Sequence, residues 1–410
     1  MWLPPFRLPF KCGEGIHGRH FSWGFSPRPA LRLSLLPLAL AVSLIHFVVA
    51  RPAAAVDQEH ARKVLISEAG VRIYQREFNL NAQILGNLKP PRRHDLPKTN
   101  TGDRRSRHLF KWVIPAGDRL GDVEIWINSP APQLDQALPT ILVMAGVDTG
   151  EKAAQLVGDP GQNYVVSLRW PLPAYPDPAI PLPGTEGDPG HDKNSGGVQQ
   201  DDLPPLLQVA ESLTRPEVAQ YQKELLAGLQ IVPGHIATTL AALRGQDWVA
   251  EGRLAVMGVS FGSIVLPLGV HLADHLRPPR GTESYIQAYG GADLALFFEV
   301  ELAKVMNTSQ TGDLVQALRT LASPIDPCTH LAMLKGKFYN VHGTEDERMP
   351  KTSTKMLDSC TPWPRDASGN KISNIKFIAG GHIGRERPEL IEKLNELVFR
   401  WLIAESGFNP

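Results

Sequence analysis

Neither sign of charge prevails in this chain. Lys+Arg and Asp+Glu number 42 each in 410 residues, so no basic footprint argues for a nucleic-acid partner. Cysteine is scarce, with three residues in all. No C-x-x-C or Cys/His spacing suggests zinc, and the expectation is that no metal is needed. Internal repeats and heptad arrays are absent, which excludes solenoids and coiled coils. The stretch Asp192-Lys-Asn-Ser-Gly-Gly197 begins like a calcium loop. Leu203 stands where the bidentate Glu is required, and that reading is rejected.

What the chain does have is apolar residues, 42% of the whole. That is enough to bury a sizeable core in one large domain or two ordinary ones. The first 55 residues stand apart from the rest. Arg7, Lys11, Arg19, Arg28 and Arg32 precede an apolar run over 33–50, and Ala53-Ala54-Ala55 follows. This order describes an export signal cleaved after Ala55, or an uncleaved anchor that keeps the protein on a membrane through residues 33–50. Either reading places the body outside the cytoplasm. Cys328 and Cys360 then form an even pair in an oxidising compartment, and a disulfide between them is expected.

Residues 56–108 are polar and basic, and read as an extended arm or small accessory element. Beyond them, Leu109–Ile114 and Val123–Ile127 alternate with period two and predict an antiparallel hairpin. Pro139–Gly146, Tyr164–Leu168, Tyr285–Tyr289, Lys337–His342 and Asn374–Ala379 read as further strands. Glu224–Leu243 and Glu389–Ala404 have helical spacing. Strands alternating with helices predict an α/β fold, with a mostly parallel sheet covered on both faces. Two stretches, about 170–225 and 294–330, read as insertions. The first is dense in Pro, Gly and Asp, as a lid or a surface loop would be.

The chemistry concentrates at three strand ends. Arg253-Leu-Ala-Val-Met-Gly-Val-Ser260-Phe-Gly-Ser-Ile-Val-Leu266 is an apolar run, a Gly-x-Ser-x-Gly and a second apolar run. A strand that turns sharply into a helix at a serine exposes its hydroxyl, and only glycine fits where strand and helix close together. His342-Gly-Thr-Glu-Asp346-Glu-Arg-Met-Pro350 follows one later strand, and Gly380-Gly-His382 follows another. In a parallel sheet, loops after the strands share one edge, so Ser260, Asp346 and His382 should meet there. Asp293, in Gly290-Gly-Ala-Asp293, is the alternative acid. His342 reads as a support for the acid loop.

With these motifs the chain resembles the α/β-hydrolase family, from about Leu109 to the C-terminus. The resemblance implies a Ser-Asp-His triad in which Ser260 is the nucleophile, His382 the base and Asp346 its orienting partner. It also implies an oxyanion hole from the backbone N–H groups of Phe261 and Val147. The expected activity is a serine hydrolase cleaving a small-molecule or lipid-like carboxylic ester, without a cofactor. About 50 residues precede the core, whereas a peptidase of this fold often carries a large N-terminal propeller, so ester cleavage is favoured. Peptidase, thioesterase and a non-catalytic hydrolase-fold binding protein are the alternatives.

Overall fold

A computed structural model describes residues 59–86, 88–94, 108–145, 161–171, 216–296, 322–384 and 387–409, together with 312, 315–317, 319 and 320. The apolar run at 33–50 and nearly all of the Pro/Gly-dense insertion lie outside them. Among the described residues no helix is long and apolar enough to cross a membrane.

Among the described residues nine strands form one sheet in the order β1-β2-β3-β5-β4-β6-β7-β8-β9. They are β1 (Arg92–His94), β2 (His108–Pro115), β3 (Asp122–Ser129), β4 (Leu138–Met144), β5 (Tyr164–Leu168), β6 (Val249–Val259), β7 (Glu283–Ala288), β8 (Gly336–Gly343) and β9 (Ile375–Ile378). The hairpin β2–β3 is antiparallel as expected, and β3 joins β5 antiparallel. From β5 through β4, β6, β7 and β8 to β9 every pairing is parallel. Parallel strands need crossovers, and a doubly covered sheet needs apolar side chains on both faces. Strand β4 meets that need: Leu142 and Met144 join one core cluster, while Ile141 and Val143 join the other.

Among the described residues the helices that cover the sheet are α1 (Glu59–Phe78), α2 (Pro216–Leu243), α3 (Phe261–Leu276), α4 (Pro327–Leu331), α5 (Lys351–Cys360) and α6 (Pro388–Ser406). On one face lies α6, which buries Leu390, Leu394, Val398, Trp401 and Leu402 and stacks Trp401 on Tyr339 of β8. The larger cluster gathers α1, α2 and α3 with the sheet's opposite face.

Of the extended arm or small accessory element expected over 56–108, the described residues form the second, through α1 and β1. Twenty residues of it form a helix, and three more add an edge strand beside β2. Val71, Tyr74 and Phe78 of α1 are buried. The Tyr74 hydroxyl donates to the Gln230 carbonyl of α2 at 2.7 Å and accepts from the Gly234 N–H at 2.9 Å. Burial of three apolar side chains overrides the polar composition on which the arm reading rested.

Cys328, on α4, and Cys360, at the end of α5, are joined by a disulfide, with their Cα atoms 5.3 Å apart.

Candidate active site

Strand β6 delivers Ser260 and helix α3 begins at the next residue. Ser260 has φ 55° and ψ −116°, a conformation that L-residues rarely adopt. Its N–H donates to Ala288 O of the neighbouring strand at 2.8 Å, and its carbonyl accepts from Ser263 N at 3.0 Å. These bonds hold the turn from both sides. A Cβ on Gly258 would lie 2.6 Å from Gly262 O and from Ser263 Cα, and one on Gly262 would lie 2.0 Å from Met144 O. Strand, turn and helix are therefore in backbone contact, and no side chain fits between them.

Helix α3 carries Pro267 in its interior, which removes the backbone donor that would meet the Ser263 carbonyl. Gln287 of β7 donates its amide to that oxygen instead, at 3.4 Å. At the start of α3 the Phe261 N–H belongs to the first turn, whose donors have no intrahelical acceptor. The helix N-terminus adds a partial positive charge beneath the serine. Val147 lies outside the described residues. A parallel sheet wound on both faces, with a strained serine between β6 and α3, decides the architecture.

This is the α/β-hydrolase fold.

His382, after β9, brings Nε2 to 2.9 Å from the Ser260 hydroxyl oxygen. Its Nδ1 lies 2.9 Å from both carboxylate oxygens of Asp346, which follows β8. A carboxylate only accepts, so Nδ1 carries the proton and Nε2 offers its lone pair to the hydroxyl. Asp346 Oδ1 also accepts from Arg348 N and Met349 N, each at 2.9 Å, which locks its rotamer. Both side chains are nearly buried, at 3% and 7% exposure, so their interaction is little screened by solvent.

Asp293, the alternative acid, sits elsewhere. Its Oδ2 accepts from Arg319 Nε at 2.8 Å, and no described bond links it to His382. His342 Nε2 lies 2.8 Å from Asp358 Oδ1 on α5, and Asn340 donates to the same oxygen at 2.8 Å. It braces β8 against the helix that follows the acid loop, as a supporting role requires.

Three neighbours of the site have no signature in the sequence. Glu347 accepts the His382 backbone N–H at 2.9 Å, and Arg387 donates to the His382 carbonyl at 3.0 Å. Arg387 and Glu347 also pair with each other at 3.4 Å, so the histidine loop is held by both of its backbone groups. Partial burial works against the charge on Glu347, but the His382 N–H and Arg387 together hold its carboxyl below the usual range. The third neighbour is Tyr289, with its ring edge-on to the imidazole at 5.7 Å. Burial first, and the Asp346 charge second, push its hydroxyl up to about 12. Sequence spacing identifies none of these, because each acts through a contact made only when separate loops meet.

A cleft lined by Pro90, Pro91, Phe110, Leu134 and Trp248 is remote from this constellation. Trp248 precedes β6 and Ser260 follows it, so the two lie at opposite ends of that strand.

No family model matches the chain, and no curated protein matches it in sequence. Solved structures similar to it include acetyl xylan esterase 1 from Thermoanaerobacterium sp. JW/SL YS485, at 14% identity over 87% of this chain and 98% of that one, with a TM-score of 0.44. The acetyl xylan esterase from Paenibacillus sp. R4 is 14% identical over 89% and 99% of the two chains, with a TM-score of 0.46. The acylaminoacyl peptidase of Pyrococcus horikoshii is 15% identical over 80% of this chain and 44% of its own, with a TM-score of 0.38.

Proposed function

We propose that this protein is a serine hydrolase that cleaves carboxylic esters through an acyl-enzyme. The carrying observation is the hydrogen-bonded chain from the Ser260 hydroxyl through His382 to Asp346, at 2.9 Å on each side of the imidazole. In this reading His382 Nε2 takes the Ser260 proton as Oγ attacks the ester carbonyl. The imidazolium so formed is stabilised by Asp346, and then gives its proton to the leaving alcohol. Water attacks the acyl-enzyme by the same route in reverse. The Phe261 N–H, in the first turn of α3, is proposed as one donor to the developing oxyanion and Val147 as the second.

The substrate is proposed to be a small-molecule or lipid-like ester. Export is part of the proposal. The basic and apolar N-terminus and the Cys328–Cys360 disulfide support a body that matures in an oxidising compartment. Residues 33–50 are its proposed membrane contact if they remain uncleaved.

Labelling the purified protein with a fluorophosphonate, followed by peptide mapping, tests the serine. A single adduct on Ser260 that is lost in His382→Ala is expected. A panel of acyl esters, acyl thioesters and peptide amides then tests the substrate class, with esters turned over fastest. Failure of a folded protein to label would return the non-catalytic binding reading.

A further inference from the structure

Away from Ser260, helix α3 presents His271 and His275 four residues apart, hence on one face. Helix α1 brings Glu68 against them. Its Oε1 lies 3.6 Å from His271 Nε2 and 3.6 Å from His275 Nε2. One ligand atom from each of the three residues falls within 4.8 Å of the other two. In a tetrahedral site with bonds of about 2.0–2.1 Å, neighbouring ligand atoms stand about 3.3 Å apart. The two carboxylate–imidazole distances are close to that and too long for hydrogen bonds, and the third pair lies within 4.8 Å.

The protonation pattern points the same way. His330 Nε2 lies 2.6 Å from the Pro324 carbonyl, which can only accept, so His330 carries its proton there. In the neutral ring with that proton on Nε2, the His330 Nδ1 is a lone pair and accepts. His271 Nδ1, 3.0 Å away, must donate to it. The remaining nitrogen of His271, Nε2, is then a bare lone pair turned toward the carboxylate of Glu68. With both imidazoles neutral, that lone pair and the Glu68 carboxylate are two electron-rich groups 3.6 Å apart, beside a His271 side chain only 6% exposed. A cation between them resolves that conflict.

We propose that Glu68, His271 and His275 form a binding site for one divalent transition-metal ion, zinc by the chemistry of the donor set. Two imidazoles and a carboxylate are borderline ligands of the kind zinc takes, and water completes the four. His330 fixes the tautomer and ring orientation of His271 from behind, as outer partners of metal-bound histidines do. Glu68 and His275, at 30% and 34% side-chain exposure, leave a path from solvent. His271 is eleven residues along α3 from Ser260, about 16 Å of helix. The ion is therefore a staple that pins α1 to the nucleophile helix, and takes no part in chemistry at Ser260.

The test is a titration of the full chain, untagged and stripped with EDTA, with Zn2+ against a chromophoric chelator. Glu68→Gln and His275→Ala are measured in parallel, after circular dichroism shows both folded. Binding of one Zn2+ per chain is expected, weakened in each variant by at least the ~10–100-fold that loss of an outer partner costs elsewhere. The Zn2+-loaded protein should melt higher than the stripped one, and the variants should not respond. Fluorophosphonate labelling of Ser260 should survive EDTA. Absence of stoichiometric binding, or binding that both variants retain undiminished, overturns the site.

Discussion

Ser260 stands in a backbone conformation that costs on the order of 1–3 kcal/mol. The cost is sustained by the glycines at 258 and 262, which let β6, α3 and β4 touch. What the strain provides is a hydroxyl held 2.9 Å from His382 Nε2. The acid is the residue on which sequence reasoning was most open, because Asp293 and Asp346 both follow strands. Geometry separates them: Asp346 faces the imidazole, while Asp293 is engaged by Arg319. On the proposed mechanism, Asp346→Asn should lower kcat by roughly 10⁴-fold, as loss of the orienting carboxylate does in other triads. Asp293→Asn should leave kcat within a few-fold. Steady-state kinetics on a single ester decides the matter, and a larger loss in the Asp293 variant would remove Asp346 from its role.

At the scale of elements, the packing is tied by buried polar groups that no motif announces. Arg244, at the end of α2, is almost wholly buried. It donates to both carboxylate oxygens of Glu283 on β7 at 2.7 Å and to the Arg277 carbonyl at 2.7 Å, and forms an ion pair with Asp274 of α3 at 2.8 Å. Tyr285 adds a hydroxyl to Glu283 at 3.0 Å. Removing one member leaves a buried charge without its partner. Glu283→Ala should therefore cost about 3–5 kcal/mol, read from urea unfolding midpoints.

Asp326 makes a second such link. Its carboxylate caps α4 at Cys328 N and accepts Leu294 N at 2.7 Å. Burial outweighs these bonds and raises its carboxyl to about 6, from an ordinary 3.8. The folded state thus holds this proton more tightly than the unfolded chain. The stabilisation is complete below pH 3.8 and is lost as the pH rises through about 6. Asp326→Asn should flatten that part of the stability curve, whatever it does to the absolute value. An unchanged slope in the variant would assign the pH dependence to other groups.

For the whole molecule, the disulfide closes a sequence separation of 32 residues between α4 and α5. A loop of that length restricts the unfolded chain by about 3–4 kcal/mol in the chain-entropy model. The oxidised protein should melt several degrees above the reduced one, and Cys328→Ala should remove the difference. Equal melting temperatures with and without reductant would mean that the bond adds nothing to stability.

Local pattern was sufficient for much of this molecule. Strands β2 to β9 and helices α2 and α6 were legible because period-two and period-3.6 burial is written into neighbouring residues. Ser260, Asp346 and His382 were legible because a parallel sheet puts the loops after its strands on one edge. The pairing of Cys328 with Cys360 followed from there being only two cysteines in the body of the chain.

What tertiary structure alone decided was everything that depends on distant segments meeting. The helix within residues 59–78 is stabilised by a core it does not itself contain. Which of Asp346 and Asp293 faces His382 is set by tertiary placement, and both positions satisfy the same local pattern. The Glu347–Arg387 clamp, the Arg244 network and the cluster of Glu68, His271 and His275 join residues from separate elements. Each such group gains its meaning from distance and burial, and neither quantity is a property of sequence spacing.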